Sequence, residues 1–243
     1  MSIKKTYGLL GKNIDYSFSA KYFSKKFKEE KITDCEYINI DLDKIEDFKK
    51  LEFNKIVGLN VTIPFKEKII PYLDEIGECA LKIGAVNTIA KKNNKLIGYN
   101  TDYLGFIKSF KSNLNFKNAV VLGSGGASKA IQFALNMNKI SFDIASRQNN
   151  IKYKSYEIIN KNIENYDLVI NTTPLGTFPN ISRKPIINYN LINKNHFCYD
   201  LIYNPKKSSF LRECEKKGAF IMNGFEMLRL QAEESWRIWN SMS

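Results

Sequence analysis

Residues 119–128 read Ala119-Val-Val-Leu-Gly-Ser-Gly-Gly-Ala-Ser128, and this stretch decides the fold class. Its apolar start predicts a buried strand, and an amphipathic helix is predicted from about Ala127 to Asn138. Glycines between a strand and a helix let the backbone approach a phosphate closely, while the helix N-terminus presents its N–H groups to the anion. The pattern therefore predicts a nucleotide-binding α/β domain, although an ordinary tight strand-to-helix turn would look the same over so short a stretch.

The next strand ends at Ala145-Ser146-Arg147, about 20 residues beyond the glycine turn. An NAD site usually has a carboxylate at this position, because it accepts hydrogen bonds from the ribose hydroxyls. Ser146 and Arg147 instead suit a 2′-phosphate, which takes charge-assisted hydrogen bonds from a guanidinium. The sequence therefore predicts NADP rather than NAD as the cofactor. Lys152 and Lys154 would either add positive charge there or lie as solvated surface charges.

Two other stretches end in an amine and a carboxylate, Gly58-Leu-Asn-Val-Thr-Ile-Pro-Phe-Lys66 and Gly98-Tyr-Asn-Thr-Asp102. Beside a reducible carbonyl, Lys66 could donate a proton to the oxygen as a hydride reaches the carbon, and act as the base in reverse. Asp102 could orient Lys66, bind a substrate hydroxyl, or do both; the alternative is a surface ion pair of little energetic weight. These stretches and the segment between them also carry uncharged hydrogen-bonding groups, which would suit a polyhydroxylated small molecule. They are Asn60, Thr62, Asn87, Thr88, Asn100 and Thr101.

The composition indicates which kinds of molecule the protein binds. The 243 residues carry 37 Lys and Arg against 25 Asp and Glu, a formal net charge of +12. The lysines are spread along the chain among glutamates, so we expect an anionic small-molecule substrate and a phosphorylated cofactor rather than nucleic acid. Four scattered cysteines without a C-x-x-C pair predict no metal site, and the single histidine, His196, is expected to be structural. No apolar run reaches about 20 residues and no signal region is evident, which predicts no membrane segment and a cytoplasmic location.

Alternating strand and helix patterns divide the chain into two α/β domains. Strands are predicted over residues 6–11, 36–40 and 56–61, and helices over 20–31, 42–51, 66–73, 75–83 and 102–112. We expect a substrate-binding domain over residues 1–104 and a Rossmann-like nucleotide-binding domain over residues 105–224. The last helix, predicted over 225–239, has no strand after it, so we expect residues 225–243 to pack back on the first domain and complete it.

The order of these motifs resembles the shikimate dehydrogenase family over essentially the whole chain. The motifs that carry the resemblance are Tyr7-Gly-Leu-Leu-Gly11, Ser17-Phe-Ser19, Asn60-Val-Thr62-Ile-Pro64-Phe-Lys66, Gly84-Ala-Val-Asn87-Thr88, Gly98-Tyr-Asn100-Thr101-Asp102, Gly123-Ser-Gly125-Gly126-Ala127, Asn171-Thr-Thr-Pro174-Leu-Gly176, Asp200-Leu-Ile-Tyr203-Asn-Pro205 and Gly224-Phe-Glu-Met227-Leu-Arg-Leu-Gln231. The resemblance implies an NADPH-dependent, reversible reduction of 3-dehydroshikimate to shikimate, in the pathway to chorismate and the aromatic amino acids. It also implies two domains with a cleft between them.

The family's roles carry over by position. Lys66 would be the acid/base with Asp102 as its partner, and Ser17 and Ser19 would bind the substrate carboxylate. The ring hydroxyls would be bound by Asn60, Thr62, Asn87, Asp102 and Gln231, with Tyr203 nearby. The cofactor would be bound at its pyrophosphate by Ser124, Gly125, Gly126 and Ala127, at its 2′-phosphate by Ser146 and Arg147, and on its nicotinamide side by Thr172, Thr173, Leu201 and Gly224.

The chain also departs from the family pattern. Asn13, Tyr16 and Ala20 stand where the family usually has Pro, His and Pro, and Ser146-Arg147-Gln148 replaces the usual Asn-Arg-Thr. The alternatives are a quinate/shikimate dehydrogenase with relaxed cofactor use, another NADP enzyme such as a methylenetetrahydrofolate dehydrogenase, and a non-catalytic NADP-binding sensor. Retention of both Lys66 and Asp102 disfavours a sensor. We expect the protein to work as a monomer or a homodimer.

Overall fold

Two α/β units make up the structure, a computed structural model that describes residues 4–15, 17–110, 115–147 and 151–241. The first compact unit comprises Met1–Thr101 together with Ala232–Ser243, and the second comprises Asp102–Gln231. Tyr16 and Gln148, at which the chain departs from the family pattern, lie outside the described residues, as do positions 111 and 112 of the helix predicted over 102–112.

The first unit contains a mixed six-stranded sheet. Its strands are β1 (Lys5–Gly11), β2 (Cys35–Asp41), β3 (Ile56–Val61), β4 (Glu75–Ile76), β5 (Thr88–Lys92) and β6 (Lys95–Tyr99), in the order β2-β1-β3-β5-β6-β4. Strands β2, β1 and β3 run parallel, whereas β5 pairs antiparallel with both β3 and β6. Helices α1 (Phe18–Glu29) and α2 (Glu78–Ile83) belong to the same unit. The strands predicted over 6–11, 36–40 and 56–61 are confirmed.

The last helix packs on this first sheet, as predicted. Helix α7 runs from Phe225 to Ser241. The indole Nε1 of Trp239 in this helix donates a hydrogen bond to the carbonyl oxygen of Ile89 in β5 across 2.9 Å. Gly58 in β3 makes the contact possible, since an added Cβ would lie 2.4 Å from that same nitrogen. Trp239 also packs 4.8 Å from the ring of Tyr7 in β1, within an aromatic cluster that buries one face of the sheet.

The second unit is a five-stranded, all-parallel sheet. Its strands are β7 (Asn118–Leu122), β8 (Ser141–Ala145), β9 (Leu168–Asn171), β10 (Phe197–Asp200) and β11 (Phe220–Asn223), in the order β11-β10-β9-β7-β8. Its helices are α3 (Asp102–Ser109), α4 (Gly126–Met137), α5 (Tyr156–Lys161) and α6 (Ser209–Lys216). The strand order reverses between β7 and β9, so the carboxyl ends of these strands form the switch point at which such sheets bind nucleotides. The Rossmann-like domain is confirmed.

Three predicted helices differ from the structure. The helix predicted over 75–83 begins only at Glu78, because Glu75–Ile76 pair with β6 as strand β4. The segment over 66–73 consists of turns with a single 3₁₀ turn at Ile70–Tyr72, because Pro71 has no N–H to donate to an α-helical hydrogen bond. The segment over 42–51 contains a 3₁₀ helix, Ile45–Lys50, instead of an α-helix. In the part of the chain that the structure describes, no helix is both long and apolar enough to cross a membrane.

Candidate active site

The N-terminus of α1 has the features of a carboxylate-binding site. Ser17 is the N-cap residue, and its Oγ accepts a hydrogen bond from the backbone N–H of Ser19 across 3.1 Å. No acidic residue lies in the first turn, so the positive end of the helix dipole is not neutralised there. A serine hydroxyl that accepts one hydrogen bond can still donate its own proton. The Ser17 hydroxyl can therefore offer a donor beside a helix N-terminus, and Ser19 lies two residues further along the same turn.

Lys66 lies in a turn that is anchored in the hydrophobic core on both sides. Phe65 is buried, and the backbone N–H of Ile69, also buried, donates to the carbonyl of Phe65 across 2.9 Å. The carbonyl oxygen of Lys66 accepts a hydrogen bond from Val86 N at 2.7 Å, which ties the turn to the segment leading into Asn87. Lys66 itself is half-buried. The two apolar neighbours thus fix the backbone from which the amine projects.

Thr62 precedes this turn, at the end of β3. It is half-buried, and its backbone N–H donates to the carbonyl of Leu10 in β1 across 2.9 Å. Gly11 is needed beside it, because an added Cβ would lie 2.6 Å from the Thr62 methyl carbon and 2.5 Å from Ile14. The lack of a side chain at Gly11 therefore leaves room for Thr62 at the predicted position.

A buried polar network joins β3, β5 and α7 inside the first unit. The Asn60 side-chain amide donates to Ser235 Oγ at 2.9 Å, and Ser235 Oγ lies 2.7 Å from Thr88 Oγ1. Asn87 accepts the backbone N–H of Thr101 at 2.7 Å and donates to the Thr101 hydroxyl at 2.9 Å. All five residues are at most 4% exposed. Such a satisfied network holds its members in fixed orientations, because an unpaired polar atom there would cost free energy.

Tyr37 extends this network towards α1. Its hydroxyl donates to Asn60 Oδ1 across 2.8 Å. Burial raises the pKa of Tyr37, and a hydrogen bond with the Ser19 side chain partly offsets that rise. Tyr37 therefore stays a neutral phenol that contacts one predicted carboxylate-binding residue and one predicted hydroxyl-binding residue.

Tyr37 and Ser235 are two site residues that sequence reasoning missed. Ser235 follows Gln231 by four positions in α7, so the helical period could have indicated a shared face. Tyr37 is the buried residue of β2, and the burial pattern of that strand gives no clear alternation. Only its contacts in the folded unit, with the rings of Tyr37 and Phe23 stacked and its hydroxyl bonded to Asn60, show that its side chain points inward.

The glycine turn of the second unit fits a pyrophosphate. Gly123 has a φ of +109°, a conformation that favours glycine, and an added Cβ there would lie 2.8 Å from Thr172 Oγ1. Gly125 is the N-cap of α4, which begins at Gly126, and no side chain caps this helix. An added Cβ at Gly125 would meet nothing within 4 Å among the described residues, its two chain neighbours and the backbone of α4 aside. The turn is thus open above the helix N-terminus, as close approach of a phosphate requires.

The end of β8 supplies groups suited to a 2′-phosphate. Ser146 Oγ lies 3.0 Å from Ser124 Oγ in the glycine turn, so the two predicted cofactor residues are in contact. Arg147 is exposed, and its positive charge opposes the rise that burial causes in the pKa of Tyr156. Lys154 Nζ forms an ion pair with Asp143 at 2.7 Å, which leaves it less suited than Arg147 to bind a second anion.

The loop after β9, predicted on the nicotinamide side, is ordered by two buried side chains. Asn171 Oδ1 accepts both the backbone N–H of Thr173, at 3.0 Å, and its hydroxyl, at 2.7 Å. The Asn171 amide nitrogen donates to Asp200 Oδ1 at 3.0 Å, and Ser208 donates to Asp200 Oδ2. Burial raises the pKa of Asp200 to about 6, and hydrogen bonds from Ser208, Ile202 N and Asn171 limit that rise.

The remaining predicted residues lie in the second unit. Asp102 is the first residue of α3 and is 5% exposed, and Gln231 in α7 is 8% exposed. Their helices pack closely at Gly105, where an added Cβ would lie 2.9 Å from Gln231 Cβ. Tyr203 is half-buried after β10. Gly224 contacts Leu201 so closely that an added Cβ would lie 2.0 Å from its carbonyl oxygen.

Known proteins match this chain along its length. A family model described as the shikimate dehydrogenase substrate binding domain matches residues 9–89. The shikimate dehydrogenase (NADP+) of Clostridium botulinum strain Hall is 45% identical over 248 aligned residues, which cover 96% of each chain. The chain therefore belongs to the shikimate dehydrogenase family, a family of oxidoreductases that act on a CH–OH group.

Solved structures agree with this assignment. A crystal structure of a shikimate dehydrogenase in complex with NADP+ has a TM-score of 0.90 and 33% identity, covering 98% of this chain and 90% of that chain. The shikimate dehydrogenase of Thermus thermophilus, crystallised with NADP(H) and shikimate, has a TM-score of 0.86 and 27% identity, covering 98% of this chain and 94% of that chain. The fold derived from the two sheets is thus the fold of this family.

Proposed function

We propose that the protein catalyses the NADPH-dependent, reversible reduction of 3-dehydroshikimate to shikimate, in the pathway to chorismate and the aromatic amino acids. The observation that carries this proposal is the 45% identity to a shikimate dehydrogenase (NADP+) over 96% of the chain. The buried amides and hydroxyls of the first unit and the open glycine turn of the second support it, because they suit a polyhydroxylated acid and a dinucleotide.

Substrate binding is assigned to two sets of polar groups, one that binds the carboxylate and one that binds the ring hydroxyls. Ser17 and Ser19 at the N-terminus of α1 bind the carboxylate, since hydroxyl donors and a helix dipole both favour an anion. The ring hydroxyls are bound by Asn60, Thr62, Asn87, Asp102 and Gln231, with Tyr203 nearby. The first unit offers mostly neutral hydrogen-bonding groups for this purpose, which discriminates a hydroxylated ring from an apolar one.

Lys66 is the proposed acid/base, with Asp102 as its partner. When bound, NADPH supplies the hydride. Lys66 donates a proton to the carbonyl oxygen that becomes the new hydroxyl, and takes that proton back in the reverse direction. Asp102 orients the Lys66 amine and accepts a hydrogen bond from a substrate hydroxyl. Such a positioned acid typically contributes about 10²- to 10⁴-fold to the rate.

The second unit holds the cofactor. Ser124, Gly125, Gly126 and Ala127 bind the pyrophosphate at the N-terminus of α4, Ser146 and Arg147 bind the 2′-phosphate, and Thr172, Thr173, Leu201 and Gly224 line the nicotinamide side. We assign residues 1–104 with 225–243 to substrate binding and residues 105–224 to NADP binding. We also propose a cytoplasmic monomer or homodimer; sedimentation as a larger assembly would contradict the last point.

The experiment is a steady-state assay of shikimate with NADP+, run beside quinate with NADP+ and both acids with NAD+. We expect kcat/KM to be highest for shikimate with NADP+. Greater activity with quinate or NAD+ would move the protein to a quinate/shikimate dehydrogenase with relaxed cofactor use. Tight NADPH binding without turnover of any pair would favour a non-catalytic sensor.

A further inference from the structure

Tyr37 is held rigidly at the edge of the first sheet. It lies in β2, the edge strand, and pairs in parallel register with Tyr7 of β1. Its ring stacks on the ring of Phe23 in α1, with centroids 4.5 Å apart and planes inclined by 12°. Phe23 is fully buried and belongs to the same hydrophobic cluster. The stacked pair therefore fixes the position of the phenol hydroxyl relative to the first turns of α1.

The hydroxyl determines the orientation of the Asn60 side chain. A neutral phenol that donates to Asn60 Oδ1 at 2.8 Å requires the carbonyl end of the amide to face Tyr37. The amide nitrogen must then face Ser235 Oγ, to which it donates at 2.9 Å. Without the hydroxyl, the buried Asn60 oxygen would lose this donor. The hydrogen bond that favours this amide orientation over the flipped one would then be absent.

We propose that Tyr37 is a positioning residue for the substrate, whose hydroxyl couples the carboxylate-binding end of α1 to the hydroxyl-binding residues around Asn60. The coupling runs from Ser19 to Tyr37 to Asn60, and onward to Ser235 and Thr88. This inference rests on the proposed function. It concerns one atom, the Tyr37 oxygen, because the ring by itself already fills the space against Phe23.

The chemistry of the substrate explains why such a coupling matters. A rigid ring that carries a carboxylate at one end and hydroxyls at the other must find both sets of partners at a fixed separation. Misplacement of either set weakens binding of the ground state and the transition state alike, which raises KM more than it lowers kcat. Tyr37 is thus expected to act on affinity, not on the hydride step.

The test is Tyr37→Phe, which keeps the ring and removes the hydroxyl. With shikimate and NADP+, we expect the KM for shikimate to rise about tenfold, as for loss of one buried hydrogen bond, while kcat changes less than about threefold. The KM for NADP+ should stay unchanged, since the second unit holds the predicted cofactor residues.

The matched control is Tyr189→Phe, in the second unit. Tyr189 is a partly buried tyrosine whose hydroxyl donates to the Pro185 carbonyl at 2.9 Å, so it loses a hydrogen bond of similar length. Both variants should unfold at somewhat lower denaturant concentrations than the wild type, and only Tyr37→Phe should change the KM for shikimate. A purely structural role for Tyr37 would lower the folded fraction, and therefore the apparent kcat, without raising this KM.

A double-mutant cycle tests the coupling itself. If Tyr37 acts through Ser19, the effects of Tyr37→Phe and Ser19→Ala on the KM for shikimate should be less than additive. An unchanged KM in Tyr37→Phe, or strictly additive effects in the cycle, would overturn the inference. Should Tyr37→Phe fold poorly, Ser19→Ala compared with Ser17→Ala gives a second reading: only loss of Ser19 should also perturb an NMR signal of the Asn60 amide. Lack of wild-type turnover with shikimate would instead refute the proposed function.

Discussion

The side-chain amide of Asn60 in β3 donates to the hydroxyl of Ser235 in α7 across 2.9 Å, in the buried interior of the first unit. The two residues are 175 positions apart in the chain. The contact makes the C-terminal helix part of the polar network that also contains Thr88, so the last helix does more than cover an apolar face.

Ser235→Ala should lower the free energy of unfolding by about 1–3 kcal/mol, because buried partners at Asn60 and Thr88 lose a hydrogen bond. Urea unfolding measures the change. Ser241→Ala is the control on the same helix: its hydroxyl donates to the Ile238 carbonyl at 2.8 Å, and we expect a loss of about 0.5 kcal/mol or less. Equal losses for the two variants would show that the network contributes no more to the free energy of unfolding than a single hydrogen bond at the helix end.

Gly125→Ala should leave the fold intact and weaken NADPH binding. Among the described residues beyond its own turn, the new methyl group would meet no atom within 4 Å, yet it would stand above the N-terminus of α4, where the phosphate is proposed to lie. We expect a rise of about tenfold in the Kd for NADPH, or about 1.4 kcal/mol, in a fluorescence titration, at an unchanged midpoint of thermal unfolding.

Gly224→Ala is the contrasting variant. Its Cβ would lie 2.0 Å from the Leu201 carbonyl oxygen, so the backbone must move and stability should fall by about 1–3 kcal/mol. A Gly125→Ala protein that binds NADPH as the wild type does would remove this turn from the proposed cofactor site.

Arg147→Ala should raise the KM for NADPH by about tenfold or more and leave the KM for NADH nearly unchanged, because only NADPH carries the 2′-phosphate. Lys154→Ala is the comparison, since Lys154 is already paired with Asp143 at 2.7 Å and should matter less. Steady-state kinetics with both cofactors measures the ratio. Equal effects of Arg147→Ala on the two cofactors would contradict the 2′-phosphate role.

Asp200 should make the free energy of unfolding decrease as the pH rises, because its carboxyl group is buried. Its pKa is raised to about 6, so the folded state binds more protons than the unfolded state between about pH 4 and pH 6. The contribution of Asp200 to stability is therefore greatest at low pH and falls as pH rises, reaching a cost of about 3 kcal/mol at neutral pH.

The variant Asp200→Asn isolates this effect. On lowering the pH from 7 to 5, the wild type should gain about 1 kcal/mol of unfolding free energy relative to the variant. Urea unfolding at both pH values measures the difference. Asp43→Asn, at a side chain that is 94% exposed, should show no such change. A pH-independent difference between wild type and Asp200→Asn would mean that Asp200 titrates normally.

Local patterns predicted much of this fold. The strand, glycine turn and helix around Gly123 are decided by neighbouring residues, so they could be recognised directly and β7 and α4 are confirmed. The helix predicted over 66–73 was wrong because its apolar spacing was helical while Pro71 interrupts the backbone. Helices α5 and α6 were missed although Ser155 and Ser208 cap them, because both are short.

The interior of the first unit was harder to predict. Asn60 and Asn87 could be singled out as polar residues in apolar surroundings, but their partners come from distant parts of the chain. Tyr37 is 23 positions from Asn60, and Ser235 is 175 positions away. No periodicity reports such pairs, since they arise only when the sheet has formed and α7 has packed on it.

The most direct test is NADPH oxidation with 3-dehydroshikimate as the only acceptor, measured for the wild type, Lys66→Ala and Lys68→Ala. Lys68 is an exposed lysine two positions along the same turn, and serves as the control. We predict rapid turnover by the wild type and Lys68→Ala, and a kcat about 10²- to 10⁴-fold lower for Lys66→Ala at an unchanged Kd for NADPH. No turnover by the wild type, or equal turnover by Lys66→Ala, would contradict the account.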